Sequence, residues 1–298
     1  MLRSLIFLLF SCGGDISIIS VDKNNSDTAS ETVVSSDTST EVPDSEPSNQ
    51  DTGTSNYDLI VGYSEIHFKQ IACPGCVGAY SEFDIQAELL LHQPTSGNYF
   101  AYLQDPGTCT TQLVETQVSA TPLASTQPAY FNNIQLNPVG SGKWIAQNLY
   151  EYQVERNSAH SVNTEHGSVS NAFTTIEGFD DIQPYTLLWV DPSYAFDAVI
   201  SKASTSFTWT PVLPNDQFEI LIAVYSPDGS QFLGAVSCLE NDTGSMTVPG
   251  SYLQQYPYWS LVAVHMIRHR TGETMSPEFG GTIQWHMLWE VVGTGHIE

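Results

Sequence analysis

Apolar side chains recur at every second position through much of this sequence, and that period decides what the chain can build. In Phe218, Ile220, Ile222 and Val224 the apolar set falls on alternate residues. Successive side chains of an extended strand point to opposite faces, so this spacing marks a strand buried on one face. Trp144, Ala146, Tyr150, Tyr152 and Val154 repeat the pattern with a polar interruption at Asn148. Further strands are expected over 59–68, 83–91, 98–103, 130–136, 168–176, 185–190, 205–210, 231–239, 260–269 and 282–292. Helical periodicity is nearly absent, the exception being a single turn from Pro249 to Gln255, where proline suits a first helical position. Ser226-Pro227-Asp228-Gly229 separates two strand-like runs and reads as a hairpin turn, because glycine accepts a positive φ. About 12 short strands at such spacing predict an all-β fold, an antiparallel β-sandwich of one or two units, and argue against an α/β enzyme.

Charge narrows the partners. Only 14% of the 298 residues are charged, with 33 acidic against 8 basic residues and a net charge of −25. A typical globular domain is about a quarter charged, so the imbalance reflects missing lysine and arginine. Arg3, Lys23, Lys69, Lys143, Arg156 and Lys202 stand singly, and only Arg268 and Arg270 lie together. Nucleic-acid binding takes a basic patch that displaces counterions, so no nucleic-acid partner is expected. A spanning helix is not expected either, since no run approaches about 18 apolar residues.

The first residues, MLRSLIFLLFSCGG, combine Arg3, an apolar run from Leu5 to Phe10, and Leu9, Ser11 and Cys12. This resembles a bacterial lipoprotein signal, in which the cysteine is lipidated on sulfur and becomes the mature N-terminus. The resemblance implies residues 1–12 as signal and Cys12 as lipidation site, and Gly13 resembles the sorting position of lipoproteins exported to the outer membrane. Residues 13–56 then read as an acidic Ser/Thr linker, DTASETVVSSDTSTEVPDSEPSNQDTGTSN among them. Such a stretch cannot bury enough apolar surface to offset its ordering entropy, so it is expected to be disordered, with a reach of about 35 Å.

Beyond the linker a second resemblance covers SFTWTP, FEILIAVYSPDGSQFLGAVSCLENDTGSMTVPGSYL and LVAVHMIRHR. These stretches resemble a module of surface lipoproteins of myxobacteria and their relatives: a Trp-bearing strand, two central strands, a Cys, an acidic-Gly turn, a Val-Pro before a short helical turn, and an Arg-bearing strand. The matching positions are Trp209, Cys238, Asp242, Gly244, Val248, Pro249 and Arg268, with Gly167, Val169 and Phe173 upstream. The resemblance implies an Ig-like sandwich and no catalytic residue. On this reading 57–191 is a β-rich unit and 192–298 an Ig-like unit, with a boundary near Pro192.

Four cysteines follow Cys12: Cys73, Cys76, Cys109 and Cys238. In an exported chain an even number suggests two disulfides, with three possible pairings. The favoured arrangement joins Cys109 to Cys73 or Cys76. The C-x-x-C spacing of Cys73 and Cys76 lacks the βαβ context of a redox site, and a zinc site would need two more soft ligands.

The chemistry-bearing signatures Gly-x-Ser-x-Gly, His-Glu-x-x-His and Gly-x-x-x-x-Gly-Lys are absent from the sequence. His265 and His269 share a strand face, as do His286 and Glu290; if these strands pair with faces aligned, three imidazoles and a carboxylate could gather as a zinc or copper site requires. The simpler reading is histidines on a solvent face, so no metal is expected there. Asp180-Asp181, and Asp191 and Asp197 around Ser193, could serve calcium, and no other cofactor is indicated. Tyr252, Tyr256, Tyr258 and Trp259 either close one end of the sandwich or stack on a ligand. The sequence thus predicts a lipid-anchored envelope lipoprotein, at the outer membrane or cell surface. It touches the membrane only through its anchor and binds an unidentified protein or carbohydrate. The alternatives are a structural envelope component and, with least support, a metal-dependent or glycoside hydrolase.

Overall fold

Extended segments dominate the computed structural model, which describes residues 7–8, 18–19, 59–71, 83–112, 118–154, 160–173, 198–211 and 215–298. Cys12, nearly all of the 13–56 linker, Cys73, Cys76, Asp180, Asp181, Asp191, Ser193, Asp197 and the expected boundary at Pro192 lie outside the described residues. The strands are β1 (Phe7–Leu8), β2 (Ile18–Ile19), β3 (Ile60–Ile71), β4 (Phe83–Thr95), β5 (Thr108–Thr110), β6 (Ala129–Phe131), β7 (Ile134–Gly140), β8 (Lys143–Leu149) and β9 (His160–Thr164). They continue as β10 (Gly167–Phe173), β11 (Ala198–Ile200), β12 (Ser204–Thr208), β13 (Gln217–Tyr225), β14 (Phe232–Asn241), β15 (Ser245–Pro249), β16 (Leu261–Ser276) and β17 (Gly281–Ile297). Among the described residues the helical content is two 3₁₀ turns, Glu151–Gln153 and Gly250–Tyr252. The fold is all-β.

β1 and β2 pair antiparallel within the unit Leu2–Ser55. In the unit Asn56–Glu298 one large sheet runs β10-β9-β6-β7-β8-β4-β3-β17-β16-β13-β14-β5, with β11 also pairing β17. The expectation of a wholly antiparallel assembly is corrected at its centre: β17 runs parallel to β3, and β11 parallel to β17. A hairpin forces neighbours antiparallel, but β3 and β17 are joined through most of the chain, which frees their relative direction. The sheet also runs across the boundary expected near Pro192, since β17 pairs β3 and β14 pairs β5.

One face of the sheet is apolar. Ile66 and Phe68 on β3, Met287 and Trp289 on β17, Met266 on β16 and Ile220 on β13 are fully buried in a single core, each contributing about 1.5–3 kcal/mol by leaving water. Phe68 stacks on Trp289 at 5.0 Å. A small second sheet, β12 with β15, adds Phe207 and Val248 to that core.

Embedded in the apolar side is a polar knot built from the motif residues. Trp209 lies flat on Phe218 at 3.7 Å and donates from Nε1 to Asp242 Oδ1 at 2.5 Å. Arg268 is wholly buried; its Nε reaches Asp242 Oδ2 at 3.1 Å and its Nη2 donates to Thr210 O at 2.8 Å. Beside it Arg270 grips Asp216 with two bonds of 2.8 and 2.7 Å. Buried charges persist only when paired and hydrogen-bonded, and these guanidiniums are both.

The disulfide expectation is corrected as well. Cys109 bonds Cys238, not Cys73 or Cys76. β5 pairs β14 with Cys109 and Cys238 opposite each other, and cross-strand register brings the two sulfurs together. The segment 98–103, expected as a strand, is instead a turn over Tyr99–Tyr102. Tyr150 and Tyr152, expected on a buried face, are exposed and stack on each other at 5.5 Å. Asn148, with φ of 54°, falls in the left-handed region at the end of β8 and breaks the alternation that would have carried them inward.

Candidate functional site

The second face of the sheet is where the chain gathers its ionisable groups. Alternation on β3 sends Ile66 and Phe68 into the core and leaves Tyr63, Glu65, His67 and Lys69 on the opposite side. Register then sets Glu65 beside His286 and Lys69 beside Glu290 on β17, Glu290 beside Ile267 on β16, and Ile267 beside Glu219 on β13. His265, His269, His286 and Glu290 therefore share one face, with His269, His286 and Glu290 fully covered and His265 partly so. The solvent-facing reading of these histidines is corrected: the segment carrying Tyr99, Tyr102 and Gln104 lies against this face. Tyr99 N donates to Gln284 Oε1 at 2.7 Å, Tyr102 Oη lies 3.2 Å from His286 Nδ1, and Gln104 Nε2 donates to Ser237 Oγ at 3.0 Å.

Two clusters result. In the first, Ser237 Oγ donates to Glu219 Oε1 at 2.7 Å, and Glu219 Oε2 lies 3.0 Å from His269 Nε2. His269 Nδ1 meets His286 Nε2 at 3.0 Å, with the rings near parallel. His286 Nδ1 meets Tyr63 Oη at 3.0 Å, and Tyr63 donates to Glu65. The second cluster centres on Glu290. His265 Nδ1 lies 2.5 Å from its Oε1, His67 Nε2 2.7 Å from its Oε2, and Lys69 Nζ 3.7 Å from its Oε1. The His67 approach is an ion-pair contact off the line a hydrogen bond prefers.

These contacts set the charges. Loss of water pushes the Glu65 carboxyl up, but His286, His67 and the Tyr63 hydroxyl outweigh it and hold it at about 2. Burial acts the same way on Glu290, and His265 and His67 hold it well below the usual carboxylate range. Burial and the neighbouring Glu65 drive the Tyr63 phenol well above its ordinary value. Glu88, on the adjoining β4, is raised by burial, against the pull of Lys143. Both Glu65 and Glu290 are therefore anions at neutral pH beside imidazoles.

The four residues weighed as weak metal-ligand candidates do come together, but in two separate contacts, His265 with Glu290 and His269 with His286. Their donor atoms bond one another directly, and among the described residues no group of three or more His, Cys, Asp or Glu is arranged to hold a metal ion.

The aromatic run divides. Tyr252 and Tyr256 pack against the core, whereas Tyr258 is 63% and Trp259 60% exposed. Trp259 lies flat on His296 at 4.7 Å, which leaves its outer face open. Lys202 Nζ sits 4.2 Å from the Tyr258 ring centre, a cation–π distance. Trp259 has φ of 64°, a conformation rare for a bulky residue. Its backbone N donates to Ile297 O at 2.8 Å, Ile297 N to Ser260 O at 2.9 Å, and Lys202 N to Glu298 O at 2.7 Å. These bonds fix the ledge to β17 and to the residues after β11.

Sequence reading missed Glu65, His67, Glu219, Tyr63 and Tyr102. A usable signal existed for most of them: Glu65, His67 and Lys69 alternate with the apolar Ile66 and Phe68, Tyr63 shares their parity, and Glu219 interrupts FEILIAVY. Tyr102 had none, because it arrives from a turn. No family model, curated protein or solved structure matches this chain.

Proposed function

We propose that this protein is a lipid-anchored lipoprotein of the outer membrane or cell surface, tethered through Cys12 and the acidic linker. Its β-sandwich, Ig-like head binds a protein or carbohydrate partner and performs no catalysis. The observation that supports this reading is the ledge of Tyr258 and Trp259. Two large rings stay exposed at 63% and 60%, Trp259 bonded through its backbone N to Ile297 O and stacked on His296, and Tyr258 beneath Lys202, although burial would otherwise favour covering them. Rings fixed before a ligand arrives offer wide contact area at little entropic cost. Stacking of this kind contributes about 0.5–1.5 kcal/mol beyond buried area, enough with the area term for roughly tenfold in affinity.

Two measurements test the proposal. Radiolabelled palmitate is expected to enter the wild-type chain and not Cys12→Ser; equal labelling of both would remove the anchor. On an oligosaccharide array and an envelope-protein array, the wild type is expected to be retained, and Trp259→Ala and Tyr258→Ala to lose about tenfold. Unchanged retention of both variants would remove the ledge as the binding surface.

A further inference from the structure

Register sets exposed apolar side chains in one line at the end of the polar face away from the turn at Tyr99–Tyr102. Val199 on β11 and Leu261 on β16 both stand directly opposite His296 on β17. Leu261 in turn stands opposite Tyr225 on β13, and Tyr225 opposite Phe232 on β14. Side chains of directly opposed residues share a face. Val199, Leu261 and Phe232 are exposed, and Tyr225 is half-buried with its ring 5.7 Å from that of Phe232. Trp259 lies on His296 and takes its place at the surface. Five neighbouring strands about 4.8 Å apart make the line about 19 Å long. Apolar residues scattered singly are ordinary on a surface, but a contiguous line of them marks a contact site.

An acid stands at each end of the line. Glu298 is exposed, with its Oε1 3.3 Å from His296 Nε2. Asp228 is exposed in the turn that joins β13 to β14, where Ser226 and the hydroxyl and backbone N of Ser230 donate to its carboxylate and hold it at about 2. Lys202 over Tyr258 shows one ring of the ledge already taking a cation, and the open face of Trp259 is a stronger acceptor of another.

We infer that this line is the contact surface for an extended, lysine- or arginine-bearing segment of a partner protein, with basic side chains at its two ends and apolar ones between. The inference rests on the ledge reading above and decides between its two classes of partner. An extended chain rises about 3.3 Å per residue, so about six residues span the line. One basic side chain then lies over Trp259 beside Glu298, the other reaches Asp228, and apolar side chains between them cover Leu261 and Phe232. A neutral sugar would cover the rings but leave both acids without a counter-charge. A second copy of the chain would set one net charge of −25 against another, which self-repulsion opposes.

Selection of a display library of random peptides on the intact chain tests this. The selected peptides are expected to carry Lys or Arg at two positions about six residues apart, with apolar residues between. A synthetic copy is expected to bind about tenfold more weakly once both basic residues are replaced by Gln, and to weaken as sodium chloride is added. Leu261→Ser, Phe232→Ser and Asp228→Asn change exposed positions, and each is expected to lose about tenfold, as is Trp259→Ala. Selection of acidic peptides or of none, or equal binding of the Gln copy, overturns the inference. Loss in Trp259→Ala with none in the three other variants also overturns it and leaves the ledge standing, as does retention of a neutral oligosaccharide in place of the peptides. Unchanged binding by both Trp259→Ala and Tyr258→Ala removes the ledge reading and this inference with it.

Discussion

Arg268 shows what a single residue has to satisfy when sequence alternation delivers a charge to the core. It is wholly buried, and its guanidinium is kept charged by Asp242 and Asp216 against a burial that pulls its pKa down. Arg268→Met keeps the stem but strands the Asp242 carboxylate beside Trp209. Breaking a buried pair in this way costs about 3–5 kcal/mol, and the unfolding free energy from urea denaturation should fall by that amount. Glu65 supplies a pH test. Its carboxyl is held at about 2 in the folded chain against an ordinary value of 4.5. A lowered folded-state pKa gives stability that is complete above the unfolded value and is lost as pH falls toward the folded one. Melting temperature should therefore drop between about pH 4.5 and 2, with a shallower slope in Glu65→Gln; Glu290, Asp228 and Glu165, whose carboxyls are also held low, contribute to the remaining slope with the same sign.

The long strands β16 and β17 show how an element is fixed by what its neighbours leave room for. Gly272 lies opposite Trp285, and a Cβ there would stand 2.1 Å from the indole ring. Gly272→Ala should therefore cost about 1–3 kcal/mol through overpacking, visible as a lower melting temperature with the near-ultraviolet tryptophan signal changed. The same two strands mark how far sequence could be read. Alternation located their cores at 260–269 and 282–292, and both run further, to Ser276 and Ile297. Their outer stretches carry Glu, Thr and Gly, which blur a pattern of apolar residues. The shared face of His265, His269, His286 and Glu290 was readable from parity. Their burial was not, because it depends on the turn at Tyr99–Tyr102, whose aromatic residues imitate a strand. Which cysteines meet was also out of reach, since it follows from β5 docking on β14, a pairing between residues far apart in the chain.

At the scale of the molecule two long-range terms remain. The Cys109–Cys238 bond closes a loop with a sequence separation of 129, and removing a crosslink of that span costs about 2–5 kcal/mol. Cys238→Ala should lower the urea midpoint accordingly, and reduction of the wild type should reproduce the effect. The net charge of −25 opposes compaction through self-repulsion. Sodium chloride should therefore raise the melting temperature from low ionic strength up to roughly 0.15 M, where the screening length is about 8 Å, and have less effect beyond. β17 carries a further implication. It is made after every other strand described, yet it is the one that β3, β11 and β16 all lean on. During synthesis everything before Gly281 emerges without this keystone strand. Under the export proposed above, that delay would leave the polypeptide without a settled shape until it had been threaded through a membrane pore.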